Sequence, residues 1–221
     1  MTPPVLIGLA GPKQAGKNTT ANIIDELCPD KVVVQRGFAD LLKWSAYRIF
    51  KPDCTMQEAI EWADHVKMPV HRGVPGSILE HDAWCTIEFY DIDDREGCPS
   101  LELNGREFLQ RYGTECHRDI FDSNFWIDAL LPRVEEWWIK NFSGADIALI
   151  TDVRFPNEAK RILDLRGTVV EIQRTSDGVD DTHASEQPLH GNHINISIMN
   201  TGTLDDLREQ VDGVLHRLRL L

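Results

Sequence analysis

Six residues near the start, Val5-Leu6-Ile7-Gly8-Leu9-Ala10, form an apolar run, and the next seven are Gly11-Pro12-Lys13-Gln14-Ala15-Gly16-Lys17. A run this short, stopped by a glycine, reads as a buried strand. The residues beyond it predict a helix from about Asn18 to Leu27, with Thr19 or Thr20 near its start and Cys28-Pro29 at its end. Strand, G-x-x-x-x-G-K and helix in that order narrow the fold sharply. The glycines allow backbone N–H groups to curl around a polyphosphate, and the lysine reaches the β- and γ-phosphates. The helix N-terminus adds donors and a favourable dipole. Gly11, Ala15, Gly16, Lys17, Asn18 and Thr19 are therefore candidate nucleotide-phosphate contacts, and Lys13 lies within the same loop.

The rest of the chain alternates strands with helices. Val32–Val34 reads as a second strand, and residues 39–50 carry apolar positions at helical spacing until Pro52 stops them. Glu107–Arg111 looks helical with Gly113 as its breaker, and Trp126–Trp138 places apolar residues on one helical face. Residues 145–151 predict a buried strand, 157–166 a helix ended by Gly167, Thr168–Gln173 a strand and Ile194–Met199 a last strand. Leu204–Leu220 closes the chain as a helix, with Thr203 as N-cap ahead of Asp205 and Asp206, which suit the positive helix end. Strands separated by helices imply a parallel sheet covered on both faces, a three-layer α/β/α domain. At 221 residues, one domain spanning 1–221 is expected.

Residues 51–103 break the pattern. They hold four basic against twelve acidic residues, so −8 of the chain's −13 sits there, and glycines and prolines interrupt them. This stretch reads as an irregular acidic insertion. The acidic balance of 23 Lys and Arg against 36 Asp and Glu argues against an electrostatic grip on nucleic acid or an anionic membrane. No apolar run approaches the roughly 20 residues needed to span a bilayer, and the start lacks the basic region of a signal peptide. A soluble, cytoplasmic protein is expected. Five scattered cysteines do not make a secreted disulfide framework. His81, Cys85 and Cys98 lack a zinc-knuckle spacing, and His183, His190 and His193 are a weaker metal candidate still.

Four stretches, in order, resemble the tailed-phage deoxynucleoside monophosphate kinases. They are the loop with its following Asn18-Thr19-Thr20-Ala21, the segment Gly105–Glu115, the segment Thr151–Ala159, and Asp181–Glu186. The resemblance covers roughly residues 5–50 and 104–221 and leaves the acidic segment unsupported. It implies a P-loop NTPase fold of the nucleoside monophosphate kinase type, with Mg²⁺ and ATP as cofactors. It implies a nucleoside monophosphate as acceptor, a homodimer, and the host cytoplasm as location. The loop and the Asp-x-Arg motif are also similar to those of phosphomevalonate kinase. Two alternatives therefore stay open: a kinase of another small phosphorylated acceptor, and a non-catalytic nucleotide-binding assembly or regulatory protein.

Roles follow residue by residue. Lys17 should neutralise the transferred phosphate, and the resemblance implies that Lys13 adds a second positive charge there. Asn18 stands where the usual loop has Ser or Thr, so it is a candidate Mg²⁺ ligand with Thr19 behind it. Asp152 ends a strand, where ligands of parallel sheets gather, and is the second candidate metal ligand. Arg154 resembles the family's arginine that meets ATP or the transferred phosphoryl group, a task suited to a permanently charged bidentate donor. The alternative for Arg154 is a surface pair with Glu158. Lys43, Arg106, Arg111 and Arg118 are candidates for the acceptor monophosphate. His183, Ser185 and Glu186 form a polar loop to which no role is assigned.

Overall fold

The first strand sits at the middle of a parallel sheet. The computed structural model describes residues 2–12, 14–49, 51–66, 86–89, 101–174, 189 and 191–221, with backbone alone for 64–66, 86–89 and 101–107. Its strands are β1 (Val5–Ala10), β2 (Val33–Arg36), β3 (Thr86–Phe89), β4 (Leu101–Asn104), β5 (Ile147–Val153), β6 (Thr168–Gln173) and β7 (Ile196–Met199). Its helices are α1 (Lys17–Leu27), α2 (Phe38–Tyr47), α3 (Met56–Val66), α4 (Gly105–Gln110), α5 (Phe125–Leu130), α6 (Trp138–Asn141), α7 (Pro156–Asp164) and α8 (Leu204–Arg217). Five strands form the main sheet in the order β2-β5-β1-β6-β7, every pair parallel. β3 and β4 pair antiparallel by themselves.

Contacts divide the chain into two compact units, Met1–Phe38 with Ile127–Leu221, and Ala39–Trp126. In the first, Ile7 and Leu9 of β1 pack with Ile147, Leu149, Val170 and Ile172 of its neighbours, and with Ala21 and Ile24 of α1 and Leu207 and Val211 of α8. Each such large side chain, fully buried, contributes about 1.5–3 kcal/mol. On the opposite face Ile162 of α7 lies over Gly8. Helices thus cover both faces, as expected of strands that are apolar throughout. The chain runs from β1 out to β2, returns through β5 beside β1, and crosses to β6 on the other flank. Winding reverses at β1, and the carboxyl end of a strand at such a reversal is where open α/β sheets bind ligands.

β5 carries an irregularity at that end. Gly8 pairs with Ile150 and Ala10 with Val153, so Thr151 and Asp152 together stand opposite Leu9. This is a β-bulge, a device that re-aims side chains beside active sites.

Three expectations need correction. The acidic segment is not irregular throughout, because it opens with the eleven-residue helix α3. A capping box starts it: the N–H and hydroxyl of Thr55 donate to Glu58 Oε2 at 2.7 and 2.9 Å, and the Glu58 N–H returns a bond to Thr55 Oγ1. Ala59, Trp62 and Ala63 form its buried face. Gly113 does not break a helix: α4 passes into a π-helix, Arg111–Asp119, that runs through it. Trp126–Trp138 is not one helix either, since α5 and α6 are separated around Pro132, which has no N–H to continue the ladder. Elsewhere the predicted strands and helices are present, with boundaries shifted by a few residues, β2 ending at Arg36 and α8 at Arg217.

Candidate active site

The phosphate loop needs its two glycines for conformation and for space. Gly11 has φ +138° and Gly16, the N-cap of α1, φ +104°, values L side chains rarely adopt. A Cβ at Gly11 would also collide with the Ile172 carbonyl oxygen. Between them Gln14 takes a left-handed φ of 63°. The Lys17 ammonium folds back over the loop, donating to the carbonyls of Gly11 at 2.7 Å and Pro12 at 2.8 Å. Ala15 and Thr20 are buried, whereas Asn18 and Thr19 are both exposed on the first turn of α1. Lys13 lies outside the described residues.

The bulged end of β5 lies beside the start of this loop. Because Val153 pairs with Ala10, Asp152 and Arg154 flank the strand position next to Gly11. Asp152 Oδ1 accepts from the Phe38 N–H at 2.7 Å, at the first residue of α2. Its other oxygen lies against Gly37, where a Cβ would be only 2.9 Å away. Arg154 is half-buried. Glu158, the partner in the alternative for Arg154, is buried at 5% exposure. Its Oε2 accepts from the backbone N–H groups of Arg154 at 2.7 Å and Phe155 at 3.0 Å. It caps α7 and so fixes the backbone that carries Arg154.

The remaining candidates belong to the second unit. Lys43 on α2 is paired with Asp40 one turn earlier, Nζ to Oδ1 3.3 Å, both side chains only 15% exposed. Arg111 is exposed at the start of the π-helix and Arg118 half-buried near its end. The side chain of Arg106 lies outside the described residues. Tertiary contacts engage the π-helix along its length. Leu42 Cδ1 occupies the space that a Gly113 Cβ would need, and Trp126 Nε1 donates to the Gly113 carbonyl at 3.1 Å. His117 Nδ1 meets the Tyr112 carbonyl at 2.5 Å, and its ring packs among Tyr112, Phe125 and Trp126. A π-helix frees carbonyls that such partners then satisfy, and these helices recur at functional sites.

Comparison with known proteins decides the class. The family model for deoxynucleotide monophosphate kinase matches residues 76–211, more than half of the chain. The chain belongs to the deoxynucleotide monophosphate kinase family. It is 29% identical to a putative deoxynucleotide monophosphate kinase of Acanthamoeba polyphaga mimivirus, over 94% of each chain. It is 24% identical to the deoxynucleoside-5'-monophosphate kinase of Escherichia phage T5, over 89% of each. A pantothenate kinase of Enterococcus faecalis matches at 26% over 64% of this chain and 50% of its own. Membership in the deoxynucleotide monophosphate kinase family makes the chain a phosphotransferase, and its all-parallel sheet is that of a P-loop kinase. Among the described residues no helix is long and apolar enough to cross a membrane.

In this family member two loop contacts escaped sequence reasoning. Asn200, just past β7, donates its side-chain amide to the Ala15 carbonyl at 2.8 Å. Arg174, just past β6, donates to the Gln14 carbonyl at 3.3 Å. Both lie more than 150 positions from the loop they touch, so no local spacing could signal them; the short polar ends of two predicted strands were the available hint. Phe38 and Trp126 are buried core residues. Among the described residues no group of three His, Cys, Asp or Glu side chains is arranged to hold a metal. His81, Cys85, Cys98, His183, Ser185, Glu186 and His190 lie outside the described residues. Cys28, Cys54 and Cys116 are free thiols, and burial pushes the Cys28 thiol above its ordinary value.

Proposed function

We propose that this chain transfers the γ-phosphoryl group of ATP to a deoxynucleoside monophosphate, giving a deoxynucleoside diphosphate and ADP. The observation that carries the reading is the junction itself: a glycine loop bearing Lys17 at the carboxyl end of β1, flanked through the β5 register by Asp152 and Arg154. Relatives whose names state this activity support it over nearly the whole chain. An oxygen of the acceptor phosphate attacks the γ-phosphorus while the bond to the ADP oxygen breaks. Such a transfer asks for positioning and charge neutralisation rather than covalent help from the protein. Lys17 and Arg154, with Lys13, stabilise the charge that spreads over the moving group. Lys43, Arg106, Arg111 and Arg118 are assigned to the acceptor.

Mg²⁺ belongs to the same proposal. The Asn18 amide oxygen and the Asp152 carboxylate make an all-oxygen donor set, the chemistry this hard cation takes. When bound, the ion would neutralise charge on the donor phosphates. A single kinase domain over 1–221, a homodimer and a location in the host cytoplasm complete the reading. The phage and giant-virus relatives support the location.

A coupled ADP-release screen tests it, with the four common deoxynucleoside monophosphates and their ribose counterparts. At least one deoxynucleotide is expected to accelerate ADP formation far above the rate with ATP alone. Tight ATP binding with no acceleration by any of them would select the non-catalytic reading. Acceleration only by pantothenate or phosphomevalonate, added to the screen as further acceptors, would select another small-molecule kinase.

A further inference from the structure

The phosphate loop is held from outside by a side chain that no motif identifies. Asn200 is half-buried at the end of β7, where its backbone N–H is anchored to the Gln173 carbonyl at 2.7 Å. Its side chain reaches across the sheet end, and Nδ2 donates to the Ala15 carbonyl at 2.8 Å. The same nitrogen would collide with a Cβ on Gly16, so glycine at that position makes room for the amide as well as for the turn.

We infer that Asn200 is a positioning residue of the phosphate loop, holding the Ala15–Gly16 peptide so that the Gly16 N–H is directed at the nucleotide's phosphates. A trans peptide is planar, and its C=O and N–H point in opposite directions. Tying the Ala15 oxygen to Asn200 therefore aims the Gly16 N–H away from β7, toward the side on which the loop curls. Oriented in advance, that donor costs no reorganisation when phosphate arrives. The preceding peptide is tied within the loop, where the Ala15 N–H donates to the Pro12 carbonyl at 3.2 Å, and Asn200 ties the next one, which joins Ala15 to the left-handed Gly16. Arg174 holds the neighbouring Gln14 carbonyl from the end of β6, but at 3.3 Å and exposed it is the weaker tie. The inference rests on the nucleotide-binding part of the function proposed above and not on the identity of the acceptor.

Direct calorimetric titration of the full chain with ATP and, separately, with inorganic triphosphate tests it. Asn200→Ala should weaken both ligands by the same factor, about tenfold, as loss of one well-placed hydrogen bond does. The melting temperature should be unchanged. Weakening of ATP alone would mean that Asn200 meets the nucleoside and would overturn the inference. So would unchanged affinity for both. Asn200→Asp supplies a pH readout that a merely structural role would not move. Ionised, its carboxylate opposes the Ala15 carbonyl and repels phosphate, whereas the protonated acid can donate as the amide does. Its affinity deficit relative to wild type should therefore shrink as pH falls from about 6 to about 4, toward the ordinary aspartate value of about 3.9. A deficit constant across that range would count against the positioning role. Failure of every deoxynucleotide to accept phosphate, with both affinities behaving as stated, would sink the kinase reading and leave this inference standing.

Discussion

The phosphate loop and the π-helix at Arg111–Asp119 both place an arginine or lysine beside a glycine, yet they do so by opposite means. In the loop, Gly11 and Gly16 are required first by their own backbone angles, and two carbonyls that accept from the lysine lie five and six residues away. In the π-helix, Gly113 has no unusual φ; it is small because Leu42 and Trp126 press on it from other elements. One backbone is written mostly into a heptapeptide, with Asn200 steadying one of its peptides from outside. The other exists only once its surroundings have folded. A local motif loses only part of its geometry when a neighbour changes, whereas a geometry imposed by neighbouring elements depends on each of them.

The sharpest way to break this contrast is Lys17→Ala. It should lower turnover at least ~100-fold, as loss of one strong electrostatic donor does, while melting temperature holds, because the side chain serves the ligand rather than the core. Near-normal turnover in a folded variant would remove the loop from the chemistry. Next comes a pair of substitutions that asks whether the two regions do different work. Arg154→Ala should lower kcat, and Arg118→Ala should raise the acceptor KM with ATP affinity unchanged. Each removes a charge-assisted contact worth about 1.5–3 kcal/mol. If both variants weaken ATP alone, the assignment of one region to donor and the other to acceptor is wrong.

Gly113→Ala tests the second half of the contrast. A methyl group there would drive into Leu42, and overfilling of this kind costs about 1–3 kcal/mol. The melting temperature should fall by roughly 2–4 °C per kcal/mol, and Leu42→Ala in the same chain should recover part of it. Full stability of the single variant would show the π-helix to be locally specified after all. The smallest effect concerns α3. The Lys51 ammonium, with help from Thr55, holds the Glu58 carboxyl down at about 2 from its ordinary 4.5. A lowered folded-state pKa stabilises above the ordinary value and is lost as pH falls through the folded one. Glu58→Gln should therefore melt slightly below wild type near neutral pH, and the gap should close as pH drops from 4.5 toward about 2. A gap that persists unchanged in acid would mean that the ion pair contributes nothing.

What could be read in the chain follows the same division. β1, α1, β6 and the Thr203 cap were legible because each rests on neighbours in sequence: a short apolar run, a glycine, a hydroxyl three residues before an acid. α3 was legible in principle through the Thr55–Glu58 box and the Ala59, Trp62, Ala63 face, but the surplus of acid around it obscured the period. The π-helix was not legible, since nothing between Arg111 and Asp119 announces the Leu42 and Trp126 that shape it. In the site, Lys17 came from local spacing, whereas Asn200 and Arg174 reach the loop from strand ends far along the chain.

The bulge in β5 has a consequence for any attempt to move this site between proteins. A strand alternates its side chains between two faces, so residues three apart should oppose one another. Ile150 and Val153 nevertheless pair with Gly8 and Ala10, which share a face. The extra residue works as a phase shifter, and Asp152 and Arg154 are presented half a period out of step with the strand that delivers them. Grafting the Asp-x-Arg motif onto a regular strand would carry the right letters on the wrong beat; the spacer has to travel with them.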